Sequence, residues 1–173
     1  ATNQSILELS QEAVSLLAWS VEQLGDNFAI AGFNSNTREQ VMYYHIKGYS
    51  ERWDDTVKAR LANLKAEYST RMGAAIRHAT HYLDLQKSDK KLMLILTDGE
   101  PSDVDVKDSE MLIKDTHKAV QECQQKGMYP YCISLDNKAD NYVSDIFGSH
   151  YSVIDKIESL PKELPQLFLS LTK

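Results

Sequence analysis

"KLMLILTDGEPSD", residues 91 to 103, decides the fold. Leu92 to Leu96 are apolar at every position, and a run of this length reads as a strand buried on both faces. It predicts a central parallel strand. Thr97, Asp98 and Gly99 then take the chain out of the sheet through polar, turn-forming residues.

Working outward, helical and strand patterns alternate. Ile6, Leu9, Ala13, Leu16, Leu17, Val21 and Leu24 recur at helical spacing, with Gly25 as the stop. "FAIAGF" (28–33) reads as a buried strand closed by a polar turn at Asn34-Ser35-Asn36, and "QVMYYHIK" (40–47) as a second strand nearer an edge. Capping residues and Val57, Leu61 and Leu64 predict a modest helix within 50–66. A longer helix opens near Thr70, carrying Met72, Ala75, Ile76, Ala79, Tyr82 and Leu83 on one stripe.

Beyond the central strand, Leu112, Thr116, Ala119, Val120 and Cys123 mark a helix from Ser109 to Lys126, which Gly127 ends. "MYPYCISLD" (128–136) is a strand interrupted near its start by Pro130, 139–147 a helical turn, and "HYSVID" (150–155) a last strand. A final helix at 160–173 has two prolines early in its course. The expected fold class is α/β, a Rossmann-like three-layer sandwich with a mainly parallel central sheet flanked by helices. Residues 1–173 are expected to form a single domain.

The formal charge of -6 argues against nucleic acid or an anionic membrane as partner, because both attract basic surfaces. Cys123 and Cys132 lack metal-ligand spacing and read as reduced core residues. No apolar run reaches the ~18 residues of a membrane span, and no signal peptide opens the chain. The expected location is the cytoplasm.

In parallel α/β sheets ligands bind beyond the carboxyl ends of the strands. That rule selects the loops after Phe33, Thr97 and Asp136 and the helix entrance at Thr70. The loop after Thr97 is the richest, with Asp98, Glu100, Asp103, Asp105 and Asp108 placing five carboxylates in eleven residues, and Ser102 among them. Such a cluster repels itself unless something relieves it. A hard divalent cation is one solution. A solvated loop capping the helix from Ser109 is the other.

Enzyme chemistry has little support. The histidines at 45, 78, 81, 117 and 150 are scattered, none lies near Ser102 or Cys132 in sequence, and no Gly-rich phosphate loop with a following Lys occurs. A Mg²⁺-dependent phosphotransfer or hydrolase site would need a nucleophilic Asp at another strand end, for which Asp136 is the candidate. Trp19 and Trp53 could anchor an interface, although helical tryptophans more often pack inward.

"LILTDGEPSD" (94–103), with "STRMGAAI" (69–76) upstream, resembles the von Willebrand factor A domain and its metal-ion-dependent adhesion site. The resemblance implies that Thr70 coordinates a divalent cation, Mg²⁺ or else Mn²⁺ or Ca²⁺, and that Asp98 holds a metal-bound water. Ser69, Arg71, Glu100, Ser102 and Asp103 would then support the site or meet a partner. "LGDNFAIAGFNSN", "WDDTVKARLANL", "DNYVSDIFG" and "LPKELPQLFLSLT" are further similar to the C-terminal domain of the NorD and CbbO group. That group implies a non-catalytic adaptor working with a MoxR-type AAA+ ATPase to activate rubisco or nitric oxide reductase.

One departure stands out. The family places an Asp-x-Ser-x-Ser loop after a first strand, yet residues 1–173 contain no such motif, and no strand precedes the first helix. Thr2, Asn3 and Ser5 supply no carboxylate. That first strand lies in the middle of the family's sheet, so its loss would leave two half-sheets. The expectation is an N-terminally incomplete domain, with a metal-free degenerate scaffold as the alternative.

Overall fold

The computed structural model describes residues 3–37, 40–64, 72–97, 109–135 and 142–172. In chain order they form helix α1 (Asn3–Leu24), strands β1 (Ile30–Thr37) and β2 (Gln40–Lys47), helices α2 (Asp55–Ala62) and α3 (Met72–Asp84) and strand β3 (Leu92–Thr97). Helix α4 (Ser109–Gln125), strand β4 (Tyr129–Ser134), helix α5 (Val143–Phe147), strand β5 (Tyr151–Val153), a 3-10 turn (Ile157–Ser159) and helix α6 (Leu160–Leu171) follow. Among the described residues the strands make two sheets, β1-β2 and β3-β4-β5, and no ladder joins them.

The residues group into two compact units. The first comprises Ala1–Gly32, Tyr43–Ala66 and Lys156–Lys173. Here α1 packs along α6 and against α2. Ala18, Ile46, Trp53, Val57 and Leu61 form a core cluster, with Val14, Phe28, Ile30 and Leu64 against it. Asp54 starts α2 by accepting from the Val57 N–H at 3.0 Å. Past the other end the Gln11 amide donates to the carbonyl of Leu61 (2.9 Å), which also accepts from the Leu64 N–H, and to that of Leu64 (3.2 Å) just beyond the helix. Gly25, at φ 80°, ends α1 where a side chain would be strained.

Lys47, last residue of β2, is 2% exposed. Its ammonium donates to the carbonyls of Phe28 (2.7 Å) and Gly48 (3.0 Å) and lies 4.0 Å from the centre of the Phe28 ring. Burial lowers its pKa from the ordinary 10.5, with Glu22 and Glu51 opposing. The unfolded chain therefore binds more protons in the window just below 10.5, so this residue makes stability rise with pH there. Subtracting the stability of Lys47→Met from that of the wild type, by urea unfolding from pH 8 to 10.5, is expected to show that rise. A flat difference would reject it.

The second unit comprises Phe33–Met42 and Glu67–Asp155. Its three-stranded sheet is parallel, with Thr97 aligned to Ser134 and Ser134 to Val153. Helices α4 and α5 pack on β4, and α3 packs on α4. Strand β4 is the middle strand of this sheet, and Cys132, Ile133 and Ser134 are each 0% exposed. Among the described residues no helix is long and apolar enough to cross a membrane.

Several expectations need correction. Strand β1 runs on through Asn34-Ser35-Asn36, where a turn was expected, because pairing with β2 satisfies the backbone and overrides local turn preference. In β3 only Met93, Ile95 and Thr97 are buried, while Leu92, Leu94 and Leu96 are half-buried, so one face is more open than an all-apolar run suggests. The modest helix expected within 50–66 is present as Asp55–Ala62. Pro130 does not interrupt β4 but sits buried within it, opposite Met93. Pro165 lies inside α6, a turn later than a start position.

Candidate functional site

The carboxyl edge of the parallel sheet is level. Thr97 and Ser134 end their strands in register, and the Leu135 N–H to Thr97 carbonyl (2.8 Å) and Ile154 N–H to Ser134 carbonyl (2.9 Å) bonds carry the ladder one step further. Thr97 is 7% and Ser134 0% exposed, so two hydroxyl side chains stand buried at this edge instead of apolar ones.

Helix α3, which follows Arg71 in sequence, is held closely against α4. Met72 and Gly73 open α3 and are both buried. A Cβ on Gly73 would collide with the Asp115 carboxylate of α4, so glycine permits the close approach of the two helices. Arg77 of α3 then reaches Asp115 (Nη1 to Oδ1, 3.0 Å) and Glu122 (Nε to Oε2, 3.3 Å), and its Nη2 donates to the Asp115 carbonyl at 3.3 Å. One guanidinium thereby ties the first turns of α3 to the middle of α4.

Ser69, Thr70, Arg71, Asp98, Glu100, Ser102 and Asp103 lie outside the described residues, as do Asp105, Asp108 and Asp136. Their described neighbours are Met72, which follows Arg71 directly, and Thr97, which precedes Asp98. Among the described residues no group of three or more His, Cys, Asp or Glu side chains is placed to hold a metal ion.

The remaining candidates are dispersed. His78 and His81 each meet Tyr82 edge to face, at 5.1 and 5.3 Å between ring centres, which makes them part of an aromatic surface on α3. His45 meets Tyr43 in the same way at 5.0 Å, and the His117 Nδ1 lies 3.1 Å from the Ile146 carbonyl. His150 stacks on Tyr129 at 4.5 Å. Both cysteines are buried free thiols. Burial pushes the Cys132 thiol up to about 12, which leaves it protonated and unreactive at neutral pH.

The two tryptophans part company. Trp53 packs in the first unit's core at 9% exposure, whereas Trp19, expected to pack inward, is 57% exposed. The sequence pattern also missed the Gly73–Asp115–Arg77 arrangement and buried Lys47. A small residue in the first turn of a buried helix was the available sign of the first; nothing local distinguishes Lys47 from a surface lysine.

Level parallel strands with buried hydroxyls at their carboxyl ends, and a helix α3 docked closely on α4, accompany a match of the von Willebrand factor type A domain profile to residues 2–164. The chain belongs to this family. Its relatives include the protein NorD of Brucella melitensis, 36% identical over 170 residues, which cover 98% of this chain and 27% of that protein. NorD of Stutzerimonas stutzeri is 36% identical over 150 residues, 86% of this chain and 24% of the relative. An uncharacterised protein of Pseudomonas aeruginosa is 34% identical over 169 residues, 97% of this chain and 28% of that one. The chain thus spans about a quarter of the length of these relatives. Among solved structures, a von Willebrand factor type A protein from Catenulispora acidiphila superposes with a TM-score of 0.60 at 17% identity, covering 93% of this chain and 37% of that one. The α/β fold is therefore shared well beyond recognisable sequence similarity.

Proposed function

We propose that this domain is a non-catalytic adaptor that recognises a partner carboxylate through a divalent metal and works with a MoxR-type AAA+ ATPase to activate a client enzyme of the nitric oxide reductase or rubisco type. The observation that carries the reading is the extended similarity to NorD proteins, which covers nearly the whole chain. It operates as one domain, 1–173, in the cytoplasm, and the two buried free thiols are in keeping with a reducing compartment.

Thr70 and Asp98 would hold the metal, and both offer oxygen donors of the kind that Mg²⁺, Mn²⁺ and Ca²⁺ prefer. When bound, the ion supplies a positive charge with an open position for a carboxylate oxygen. This chain's part is to orient. Thr97, buried at the end of β3, precedes Asp98 in sequence, and the Arg77 clamp holds α3, which begins at Met72. Ser69, Arg71, Glu100, Ser102 and Asp103 flank these two positions and would contact the partner or steady the loop.

The test is co-purification of the protein with a purified MoxR-type ATPase in Mg²⁺ and ATP, alongside an assay for phosphate release from an aryl phosphate. Association is expected to depend on Mg²⁺, to weaken about tenfold with Asp98→Ala, and to be accompanied by no hydrolysis of the aryl phosphate. Equal association in EDTA would establish a metal-free scaffold instead. Turnover that Asp98→Ala abolishes would overturn the adaptor reading.

A further inference from the structure

Between Ile6 and Gln23 the exposed residues of α1 lie on one stripe: Glu8, Glu12, Leu16, Trp19 and Gln23, at spacings of four, four, three and four. The opposite face carries the buried Ala13, Ala18 and Val21. Leu16 and Trp19 are 45% and 57% exposed, an arrangement that a solvated helix face does not call for. At the Trp19 end the stripe opens into a cleft of about 500 Å³ with Glu22, Gln23 and Trp53 in its walls.

The electrostatics of this face are one-sided. Helix α1 holds Glu8, Glu12 and Glu22 and has no lysine, arginine or histidine, within a chain of net charge -6. Two cations reach the cleft from the neighbouring segment, but Arg52 stands 4.0 Å from Glu22 and Lys58 stands 3.8 Å from Asp55, so each already faces a carboxylate. Acidic residues therefore dominate one half of the stripe, and exposed apolar and aromatic surface the other.

We propose that the α1 stripe and the Trp19–Trp53 cleft form a docking surface for a basic amphipathic helix of a partner protein, distinct from any metal-dependent contact. Glu12 lies seven residues from Trp19, about 10 Å along the helix axis. The partner helix therefore presents a Leu, Phe or Met for the cleft and a Lys or Arg about two turns away, for Glu12. Apolar anchoring supplies most of the affinity, and the carboxylates set orientation and select against acidic helices.

The experiment uses two synthetic amphipathic peptides of about four helical turns, one of Leu and Lys and one of Leu and Glu, titrated calorimetrically into the protein in EDTA. The Leu/Lys peptide is expected to bind saturably, to weaken with salt and to shift the tryptophan emission. Trp19→Ala should weaken it about tenfold and Glu12→Lys about fivefold, whereas the Leu/Glu peptide should not bind. Trp19 and Glu12 are exposed, and circular dichroism of each variant checks that the fold is intact; should one variant misfold, the other carries the result. Comparable binding of the Leu/Glu peptide, or full affinity in both variants, would overturn the proposal. So would self-association of the protein through Trp19 that excludes the peptide. Because the titration is done without metal, its failure leaves the Asp98 reading untouched, and failure of that reading leaves this one standing.

Discussion

Replacing Ile133 by alanine is expected to destabilise the protein by about 2–5 kcal/mol, the range for removing a large aliphatic side chain from a packed core. Ile133 is fully buried in the middle strand of the parallel sheet, aligned with Leu96 on one side and Ser152 on the other. Its backbone is fixed by ladders to both neighbours, and α4 and α5 pack on the same strand. Relaxation into the vacated space is therefore small, which places the loss in the upper part of the range. Urea unfolding with an unchanged slope measures it. A loss below about 1 kcal/mol would mean that the sheet interior is loosely packed.

Gly73→Ala is expected to cost about 1–2 kcal/mol net, although alanine alone favours a helix by about 1 kcal/mol. The added Cβ meets the Asp115 carboxylate, and the Asp115 backbone carbonyl is 3.4 Å from the same point. Swinging the carboxylate aside is possible, the carbonyl contact being an ordinary one, but it breaks the 3.0 Å pair with Arg77. Displacing the Asp115 side chain from its partner therefore outweighs helix propensity. The paired variant Gly73→Ala with Asp115→Ala should recover much of the loss, a coupling that a double-mutant cycle reads directly. Simple additivity of the two changes would place the origin of the loss elsewhere.

Much of the fold was legible because its strongest signals are periodic. The stripe of α1, the apolar run of β3 and the glycines at 25 and 127, both at positive φ, each act locally. Where the reading failed, pairing across the chain was decisive. Asn34-Ser35-Asn36 has turn composition, yet it stays in β1 because β2 lies beside it. Pro130 has no N–H to donate, yet β4 continues through it, since one missing bond at the start of the strand is tolerated.

The candidate site was legible as a location rather than as an arrangement. Residues 92 to 97 point to a strand end, and the structure puts Thr97 there, level with Ser134. What the sequence could not convey is the pairing that fixes α3 against α4: Gly73, Arg77 and Asp115 are each unremarkable, and their roles exist only when α3 and α4 touch. Lys47 is similar, because its burial depends on Phe28, a residue distant in sequence.

The pairing of α1 with α6 has a consequence for biosynthesis. These helices are the earliest and the latest of the described elements, and they complete one unit together. α1 therefore leaves the ribosome before the contiguous stretch from α3 to β5, and its apolar inner face waits until Leu160 to Leu171 have been made. During that interval the inner face of α1 is without its partner helix, and closing so long a loop is slow. The order of emergence thus makes α1 the segment of this chain most in need of protection before folding is complete.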